Sequence, residues 1–155
     1  GFSVLDIGCG TGEGLRMLKE KTKGRIVGVD LSQEMLARAR TKIQGVKLYP
    51  ADVEQLPFKN ASFDVVVSTE SMHHWLNPRQ AFHEICRVLK KGGELIITDI
   101  YFRLPFLNLL FERFEPGCVH IYSPREMHEF FQKQGLREIQ QRRTALVFFI
   151  TKGRK

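Results

Sequence analysis

The stretch Val4–Gly14, VLDIGCGTGEG, places four glycines and a threonine directly behind an apolar run. The apolar run is typical of a buried parallel strand. Glycines behind such a strand let the backbone approach a ligand with no Cβ in the way, and a helix that follows offers free N–H groups. Nucleotide-like cofactors bind at turns of this kind. A tight turn without a ligand explains the glycines equally well, so further residues are needed to discriminate.

The spacing of the glycines argues against two phosphate-binding loops. A dinucleotide loop has the pattern GxGxxG, but here Gly8 and Gly10 are followed by Glu13 at the third glycine position. A carboxylate there is unfavourable beside a pyrophosphate. No GK[ST] sequence follows, as a triphosphate loop would require. The loop therefore predicts a cofactor with few or no phosphates, and an NAD-dependent oxidoreductase is the weakest interpretation.

Short β-branched runs alternate with helical patterns along the 155 residues, which predicts one α/β domain with a mostly parallel sheet. The predicted strands are 2–7, 25–30, 46–49, 63–68 and 94–100. After Gly135, the runs 136–142 and 145–151 are so close together that only a hairpin can join them. The sheet therefore gains an antiparallel member at its end.

Capping residues predict where two of the helices begin and where one ends. Asn77 followed by Pro78 is typical of a helix start, and SPRE at 123–126 has the pattern of a capping box. The sequence KKGG at 90–93 predicts the end of the helix that starts at Pro78, with lysines near its negative terminus.

Composition indicates an ordinary globular protein with 43% hydrophobic residues and a net charge of +7. No apolar run approaches the ~20 residues of a membrane span, and no signal peptide is visible. Cys9, Cys86 and Cys118 lack paired spacing, so we expect a reducing cytoplasm and no structural zinc. The basic excess at the C-terminus predicts a solvated face and a frayed tail. Nucleic acid is not expected as a partner, because no aromatic residues interleave with the terminal basic ones.

Two acidic residues follow the next two predicted strands. Asp30 in IVGVDLS stands where an acidic side chain can accept both hydroxyls of a ribose. Asp52 in LYPADVEQLPF could accept the exocyclic amine of an adenine, with Val53 packed on the ring. A helix cap explains Asp52 equally well. Polar groups at three consecutive strand ends together favour a nucleoside ligand.

These stretches resemble the motifs of class I S-adenosylmethionine-dependent methyltransferases. The resemblance covers nearly the whole chain and rests on VLDIGCGTG, GVDLS, ADVEQLPF, FDVVVSTESMHHW and EICRVLKKGGELIITD. It implies a Rossmann-like three-layer α/β sandwich whose seven-stranded sheet has the order 3-2-1-4-5-7-6, with strand 7 antiparallel. S-adenosylmethionine is the cofactor it implies.

For the methionine part of the cofactor, the resemblance implies contact with the glycine loop. The backbone from Gly8 through Cys9 and Gly10 to Gly12 would hold it, and Asp6 would orient the loop or the amino group. Cys9 is expected to fill space in the loop, because no basic partner that could activate its thiol is in view.

The remaining cofactor contacts follow in the same way. The resemblance implies that Asp30 accepts the ribose hydroxyls and that Leu31 lies against the adenine. Asp52 and Val53 would fix the base. Ser68, at the end of the fourth predicted strand, would line the methionine moiety.

His73 and His74, in SMHHW, are the candidate catalytic residues. The cofactor already carries an activated methyl group, so the protein mainly has to align a nucleophile, and a base helps if the acceptor is a hydroxyl or an acidic carbon. Histidine suits that role near neutral pH. The alternative is that one histidine packs or hydrogen bonds locally while Trp75 closes the core.

The acceptor side is predicted from the long apolar segment 101–122, which is typical of a lid or an acceptor-pocket wall. A plain buried helix and a dimer interface are the alternatives. Helices that precede the first motif in the family are expected to be missing, which would affect closure of the site.

Sequence features that are absent narrow the class of acceptor. The motifs of amino-group DNA enzymes and of cytosine C5 enzymes are absent after the fourth strand, and Glu70 lacks the second glutamate of the arginine-methylating branch. The sequence predicts a methyltransferase acting on an O, C or N atom of a small molecule, similar to the quinone-biosynthesis branch. A non-catalytic cofactor-binding module and an RNA methyltransferase are the alternatives.

Overall fold

A computed structural model describes residues 1–155, and its strands form one sheet. The strands are β1 (Ser3–Ile7), β2 (Arg25–Asp30), β3 (Lys47–Pro50), β4 (Phe63–Thr69), β5 (Leu89–Ile100), β6 (Arg137–Arg143) and β7 (Phe148–Arg154). The helices are α1 (Glu13–Lys21), α2 (Gln33–Lys42), α3 (Pro78–Val88), α4 (Pro105–Phe114) and α5 (Pro124–Lys133), with a short 3₁₀ helix at Met72–His74.

The strand order is β3-β2-β1-β4-β5-β7-β6, with β7 antiparallel to β5 and β6 and the other neighbours parallel. The predicted fold class and topology are confirmed. Ile7 at the end of β1 lies opposite Val29 of β2 and Ser68 of β4. The carboxyl ends of these parallel strands therefore meet at one edge of the sheet, where α/β proteins bind ligands.

Helices cover the sheet because the parallel strands are apolar on both sides, as the fully buried β1 shows. A larger core cluster joins Leu5 and Val66 of the sheet to Phe82 of α3 and Phe131 of α5. A smaller cluster joins the strands to α1 and α2; its members are Cys9, Leu15, Ile26, Leu36 and Ile43. α1, α2, α3 and α5 thus each turn buried apolar side chains toward the sheet, and the two clusters hold the strand ends in place.

The predicted helix starts are confirmed. The side chain of Asn77 accepts a hydrogen bond from the backbone N–H of Gln80 at 3.2 Å. Ser123 and Glu126 form the reciprocal capping box at the start of α5. Each such cap stabilises a protein by about 1 kcal/mol.

The helix that starts at Pro78 ends just before KKGG, but the prediction that the lysines lie at its terminus was wrong. α3 ends at Val88, and β5 begins at once with Leu89, which pairs with Phe63 of β4. The KKGG residues therefore lie inside β5, where the register with β4 shifts and Gly92 adopts a φ of 76°. The Lys90 ammonium binds the Asp64 carboxylate at 2.8 Å rather than the end of a helix.

The frayed basic tail was also a wrong prediction. The predicted second strand of the hairpin extends to Arg154, and Lys155 is tied to β5. Its backbone N–H donates to the Gly93 carbonyl at 2.9 Å, and its ammonium donates to the Leu89 carbonyl at 2.8 Å. The antiparallel pairing with β5 supplies these partners. No helix combines the length and the apolar character needed to cross a membrane.

Candidate active site

A cavity of about 420 Å³ opens at the carboxyl edge of the sheet. Its volume lies in the range of ligand sites in proteins. Residues from the ends of β1, β2 and β4 and from the segments behind them line it. Among those predicted from the sequence it contains Gly8, Gly10, Asp30, Leu31, Asp52, Val53 and His74.

The glycine loop forms one wall of the cavity with its backbone. Gly8, Gly10 and Gly12 have φ values of 67°, 51° and 87°, a left-handed conformation that favours glycine. A Cβ on Gly8 would lie 2.5 Å from the Cβ of Ser71, so Gly8 also allows the segment after β4 to approach. A Cβ on Gly10 would meet no protein atom within 4 Å, so the space beside Gly10 is open to a ligand.

Asp30 links the glycine loop to the end of β2. Its Oδ2 accepts a hydrogen bond from the Gly10 N–H at 2.7 Å, and its Oδ1 accepts one from the Ser32 N–H at 2.9 Å. A carboxylate has about four acceptor positions, so each oxygen can accept another hydrogen bond. Asp30 therefore braces the loop and still presents acceptors to the cavity.

The segment after β3 supplies a second acidic wall. Asp52 is exposed, and its Oδ1 accepts a hydrogen bond from the Glu54 N–H at 2.9 Å, which closes a turn. No helix follows in residues 51–62, so the helix-cap alternative for Asp52 was wrong. Val53 is buried in the main core cluster. Leu31, 74% exposed, presents an apolar surface across the cavity from this segment.

Asp6 lies beneath the loop and is only 3% exposed. Burial, and secondly the neighbouring Asp30 carboxylate, raise the pKa of Asp6 to about 7. Its Oδ2 would lie 3.0 Å from a Cβ on Gly14, which places Asp6 against the start of α1. In this position, Asp6 can support the glycine loop from the side away from the cavity.

Four further predicted residues do not line the cavity: Ser68, Cys9, Gly12 and His73, the last of which lies behind His74. Ser68 is 1% exposed, and its hydroxyl oxygen has no hydrogen-bond partner in the protein. Cys9 packs in the smaller core cluster, where burial raises the pKa of its thiol far above the usual range. A Cβ on Gly12 would meet Ala39 of α2 and Ile43, the residue that follows this helix. The loop thus alternates between facing the cavity and packing on the helices.

His74 lies at the cavity wall. Its Nδ1 is 2.8 Å from the Gly117 carbonyl oxygen. Because a carbonyl only accepts, Nδ1 carries the proton in this contact and Nε2 bears the lone pair. The bond also ties the cavity wall to the segment that follows α4.

His73 is buried, at 3% exposure, and its ring lies against that of His74 with centroids 4.0 Å apart. Its Nδ1 lies 2.6 Å from Oδ1 of Asp99, at the end of β5. Oδ2 of Asp99 accepts the backbone N–H of His73 at 3.0 Å. The carboxylate thus fixes both the backbone and the ring of His73, with Nε2 left as the proton acceptor.

Asp99 was missed at the sequence level, although it ends the quoted run GGELIITD. An acidic residue at the carboxyl end of a parallel strand was the available signal. Sequence reasoning also missed cavity residues from the segments after β2, β3 and β4, which are Ser32, Met35, Glu54, Glu70, Ser71 and Leu76. Trp75 closes the core as one alternative predicted, and its indole N–H donates to the Ser71 hydroxyl at 3.1 Å.

The segment 101–122 contains α4, none of whose residues is buried. The alternative of a plain buried helix was therefore wrong. The ring of Phe111 meets that of His73 edge-on at 6.2 Å between centroids. One side of α4 thus forms a wall beside the histidine pair, and the other side faces outward.

The polar and apolar groups in and behind the cavity match the parts of S-adenosylmethionine. The open space beside Gly10 suits the methionine part of the cofactor, which would lie against the loop backbone. The Asp30 carboxylate suits a ribose diol. Exposed Leu31 suits an adenine face. The buried Ser68 hydroxyl without a partner lies opposite Ile7, one residue before the loop. The residues present therefore fit this cofactor.

Comparison with known proteins agrees with the geometry. The family model described as "Methyltransferase domain" matches residues 5–97, more than half of the chain. An O-methyltransferase of Penicillium expansum is 31% identical over 90% of this chain and 53% of its own length. The chloroplastic 2-methyl-6-phytyl-1,4-hydroquinone methyltransferase 1 of Oryza sativa is 31% identical over 92% of this chain and 43% of its own length.

The structural comparison supports the same fold. The YcgJ protein of Bacillus subtilis superposes with a TM-score of 0.86 at 22% identity, covering 99% of this chain and 92% of that one. The chain spans about half the length of the two curated relatives above. The domain match, the strand order and the cavity at the strand ends show that the chain belongs to the class I methyltransferase family, whose cofactor is S-adenosylmethionine.

Proposed function

We propose that this chain transfers a methyl group from S-adenosylmethionine to an O, C or N atom of a small, partly apolar acceptor. The observation that carries the proposal is the His73–Asp99 pair beside the cofactor cavity, with the His74 ring against His73 and the Phe111 ring of α4 meeting it edge-on. The two relatives compared above, an O-methyltransferase and a hydroquinone methyltransferase, support an acceptor of this class.

The proposal assigns cofactor-binding roles to residues that line the cavity and to two, Asp6 and Ser68, that lie behind it. The loop Gly8–Gly12 holds the methionine part against its backbone, with Asp6 behind the loop and Ser68 at its flank. Asp30 accepts the ribose hydroxyls. The adenine lies between Leu31 and the turn that begins at Asp52 and Val53.

When bound, the cofactor supplies a methyl group activated by a positive sulfur, so the protein contributes mainly alignment and proton transfer. Alignment of two reactants contributes roughly 7 to 11 kcal/mol to lowering a barrier. In the proposed reaction, Nε2 of His73 takes the proton of the acceptor. Asp99 holds the ring by Nδ1 and compensates the positive charge that the ring then carries. His74 contacts the acceptor or the cofactor from the cavity wall.

Calorimetric titration tests the cofactor site first. S-adenosylmethionine and S-adenosylhomocysteine are expected to bind in the micromolar range, and NADH, the control, is expected not to bind. The acceptor class is then tested with radiolabelled methyl transfer to phenols and hydroquinones with and without an apolar tail. Failure of S-adenosylmethionine to bind a chain shown to be folded would overturn the cofactor assignment.

A non-catalytic binding module is the second candidate, because both histidines already have partners within the chain. Measurement of labelled methyl transfer distinguishes a methyltransferase from a non-catalytic binding module. If the chain binds the cofactor and the label never reaches any acceptor in the panel, the binding module is favoured. The exposed His83, on α3, provides the matched histidine control: His83→Ala is expected to leave methyl transfer unchanged.

A further inference from the structure

The outer side of α4 exposes large apolar side chains to solvent. Phe106, Leu109 and Phe114 are 62%, 68% and 72% exposed, and Leu110 lies between them at 51%. Their spacing places them on one side of the helix. Contiguous exposed apolar surface of this kind marks an interaction site more often than isolated exposed residues do.

The inner side of α4 is held by specific contacts, so the exposed side has a defined orientation. The Asn108 side chain accepts from the Phe102 N–H at 2.8 Å and donates to the Phe102 carbonyl at 2.9 Å. The Glu112 carboxylate accepts from the Ile121 N–H at 2.7 Å. Phe111 packs against Phe102, with ring centroids 5.6 Å apart.

The tip of the β6–β7 hairpin lies beside the start of the segment 101–122, which contains α4. The backbone N–H of Tyr101 donates to the Val147 carbonyl at 2.7 Å. Leu146, next to Val147, is 91% exposed. Because β5 runs antiparallel to β7, this tip lies at the carboxyl edge of the sheet, the edge that also holds the cofactor cavity. Leu146 and the outer side of α4 therefore share an edge with the cavity.

Basic side chains border these apolar residues. Arg103 and Arg113 are exposed on the segment 101–122, and Arg143, exposed at the end of β6, donates to the Leu146 carbonyl at 2.6 Å. The Arg113 guanidinium lies 5.9 Å from the centre of the Phe114 ring. Two acidic residues lie in the segment 101–122: Glu112, which is engaged by Ile121, and Glu115, which is exposed. The border is thus mainly positive.

We propose that this surface binds an anionic lipid bilayer, with the apolar side chains in the interface and the arginines at the headgroups. We call it the docking surface and define it by Leu104, Phe106, Leu109, Leu110, Phe114 and Leu146 with the three bordering arginines. A convex apolar helix side with a basic border is the arrangement of interfacial helices. Binding would place the cavity edge at the membrane, where an apolar acceptor is concentrated.

The charges favour a bilayer over a second copy of the chain. In a two-fold symmetric dimer the docking surface would face its own copy, so its three arginines would be brought close to the same three arginines of the second chain. An anionic bilayer instead provides opposite charge to every arginine. The inference is independent of methyl transfer, because bilayer binding is measured without cofactor or acceptor.

Sedimentation of the chain with vesicles tests the proposal. Vesicles of phosphatidylcholine with 30% phosphatidylglycerol, on the order of the anionic content of natural membranes, are expected to bind at least tenfold more chain than pure phosphatidylcholine. Leu109→Gln with Leu110→Gln is expected to reduce binding at least tenfold, whereas Met17→Gln, an exposed site on α1, leaves it unchanged. Arg103→Gln and Arg113→Gln are each expected to weaken binding roughly fivefold, equivalent to about 1 kcal/mol per arginine.

Two exposed lysines near the opposite edge of the sheet provide the charge control. Lys23 precedes β2 and Lys59 precedes β4, so Lys23→Gln with Lys59→Gln is expected to leave binding unchanged. An equal loss in this pair would overturn the proposal, since it would show adsorption by net charge. Absence of vesicle binding would overturn it as well. So would self-association of the chain that Leu109→Gln with Leu110→Gln abolishes, because the surface would then be an interface between copies.

Discussion

Both oxygens of the Asp99 carboxylate bind His73. One lies 2.6 Å from Nδ1 of the imidazole and the other lies 3.0 Å from the backbone nitrogen. Asp99 is the penultimate residue of β5, and His73 lies in the 3₁₀ helix after β4, so the contact joins the carboxyl ends of two neighbouring strands. It sets both the tautomer and the position of the ring relative to the cavity edge.

Asp99→Asn is expected to lower kcat on the order of 100-fold with little change in KM, because a positioned base contributes about 10²–10⁴-fold. The amide keeps the shape of the side chain but does not compensate the charge of a protonated ring. Steady-state kinetics across pH 6 to 9 measures the effect, with His83→Ala as the control. A variant with full kcat and an unchanged pH profile would show that Asp99 serves the fold alone.

Asp30→Ala is expected to weaken binding of S-adenosylmethionine by roughly 10- to 100-fold, since a hydrogen bond to a charged group contributes about 1.5–3 kcal/mol. The variant also removes the acceptor that holds the Gly10 N–H at 2.7 Å. Calorimetric titration measures the dissociation constant. Glu34→Ala, at an exposed site in the first turn of α2, is the matched control. Equal affinities of the two variants would contradict the assignment.

Gly8→Ala and Ser71→Gly are expected to be strongly non-additive. The alanine Cβ would lie 2.5 Å from the Ser71 Cβ, so Gly8→Ala alone displaces the segment after β4 and lowers both stability and cofactor affinity. Removing the Ser71 side chain relieves the clash. The cost of the left-handed φ of 67° then remains, about 1–2 kcal/mol. Thermal unfolding and titration of the single and double variants measure the coupling, and strict additivity would show that the clash is absorbed elsewhere.

Asp6 is expected to make stability fall as the pH rises from the acidic range to neutrality. Burial raises its pKa from 3.8 to about 7, so between these values the folded chain binds a proton that the unfolded chain has released. The folded state is therefore favoured near pH 4 and loses this contribution by about pH 7. The rise in pKa converts to an order of 4 kcal/mol.

The Asp6→Asn variant tests this dependence. It is expected to be more stable than the native chain at pH 8, and the difference is expected to shrink toward pH 5. Urea unfolding at both pH values measures it. Asp52→Asn, at an exposed carboxylate, is the control and is expected to show no such change. A constant difference between Asp6→Asn and the native chain at both pH values would contradict the buried, protonated carboxyl.

Local patterns in the chain were sufficient for the strands and for the caps at Asn77 and Ser123, whereas the order of the sheet followed from the resemblance to class I methyltransferases. Buried strands and capped helices depend on side chains that are neighbours in sequence, and parallel strands restrict how such elements connect. The same patterns located Asp30 and Asp52, because the carboxyl ends of parallel strands meet at one edge. The lysines of KKGG were misassigned, since the early start of β5 depends on pairing of Leu89 with Phe63, 26 residues away.

Contacts between distant segments account for the rest of the site. Asp99 meets His73 across 26 residues, and Gly117 meets His74 across 43 residues, so no pattern within either segment predicts the pairs. Local patterns also do not predict which residues of the glycine loop face the cavity and which pack on the helices. Gly10 faces the cavity while Cys9 and Gly12 pack on helices, because α1 and α2 approach the loop from behind. Residue type and spacing indicated which groups could bind the cofactor, whereas the packing of helices and strands determined which of them reach the cavity.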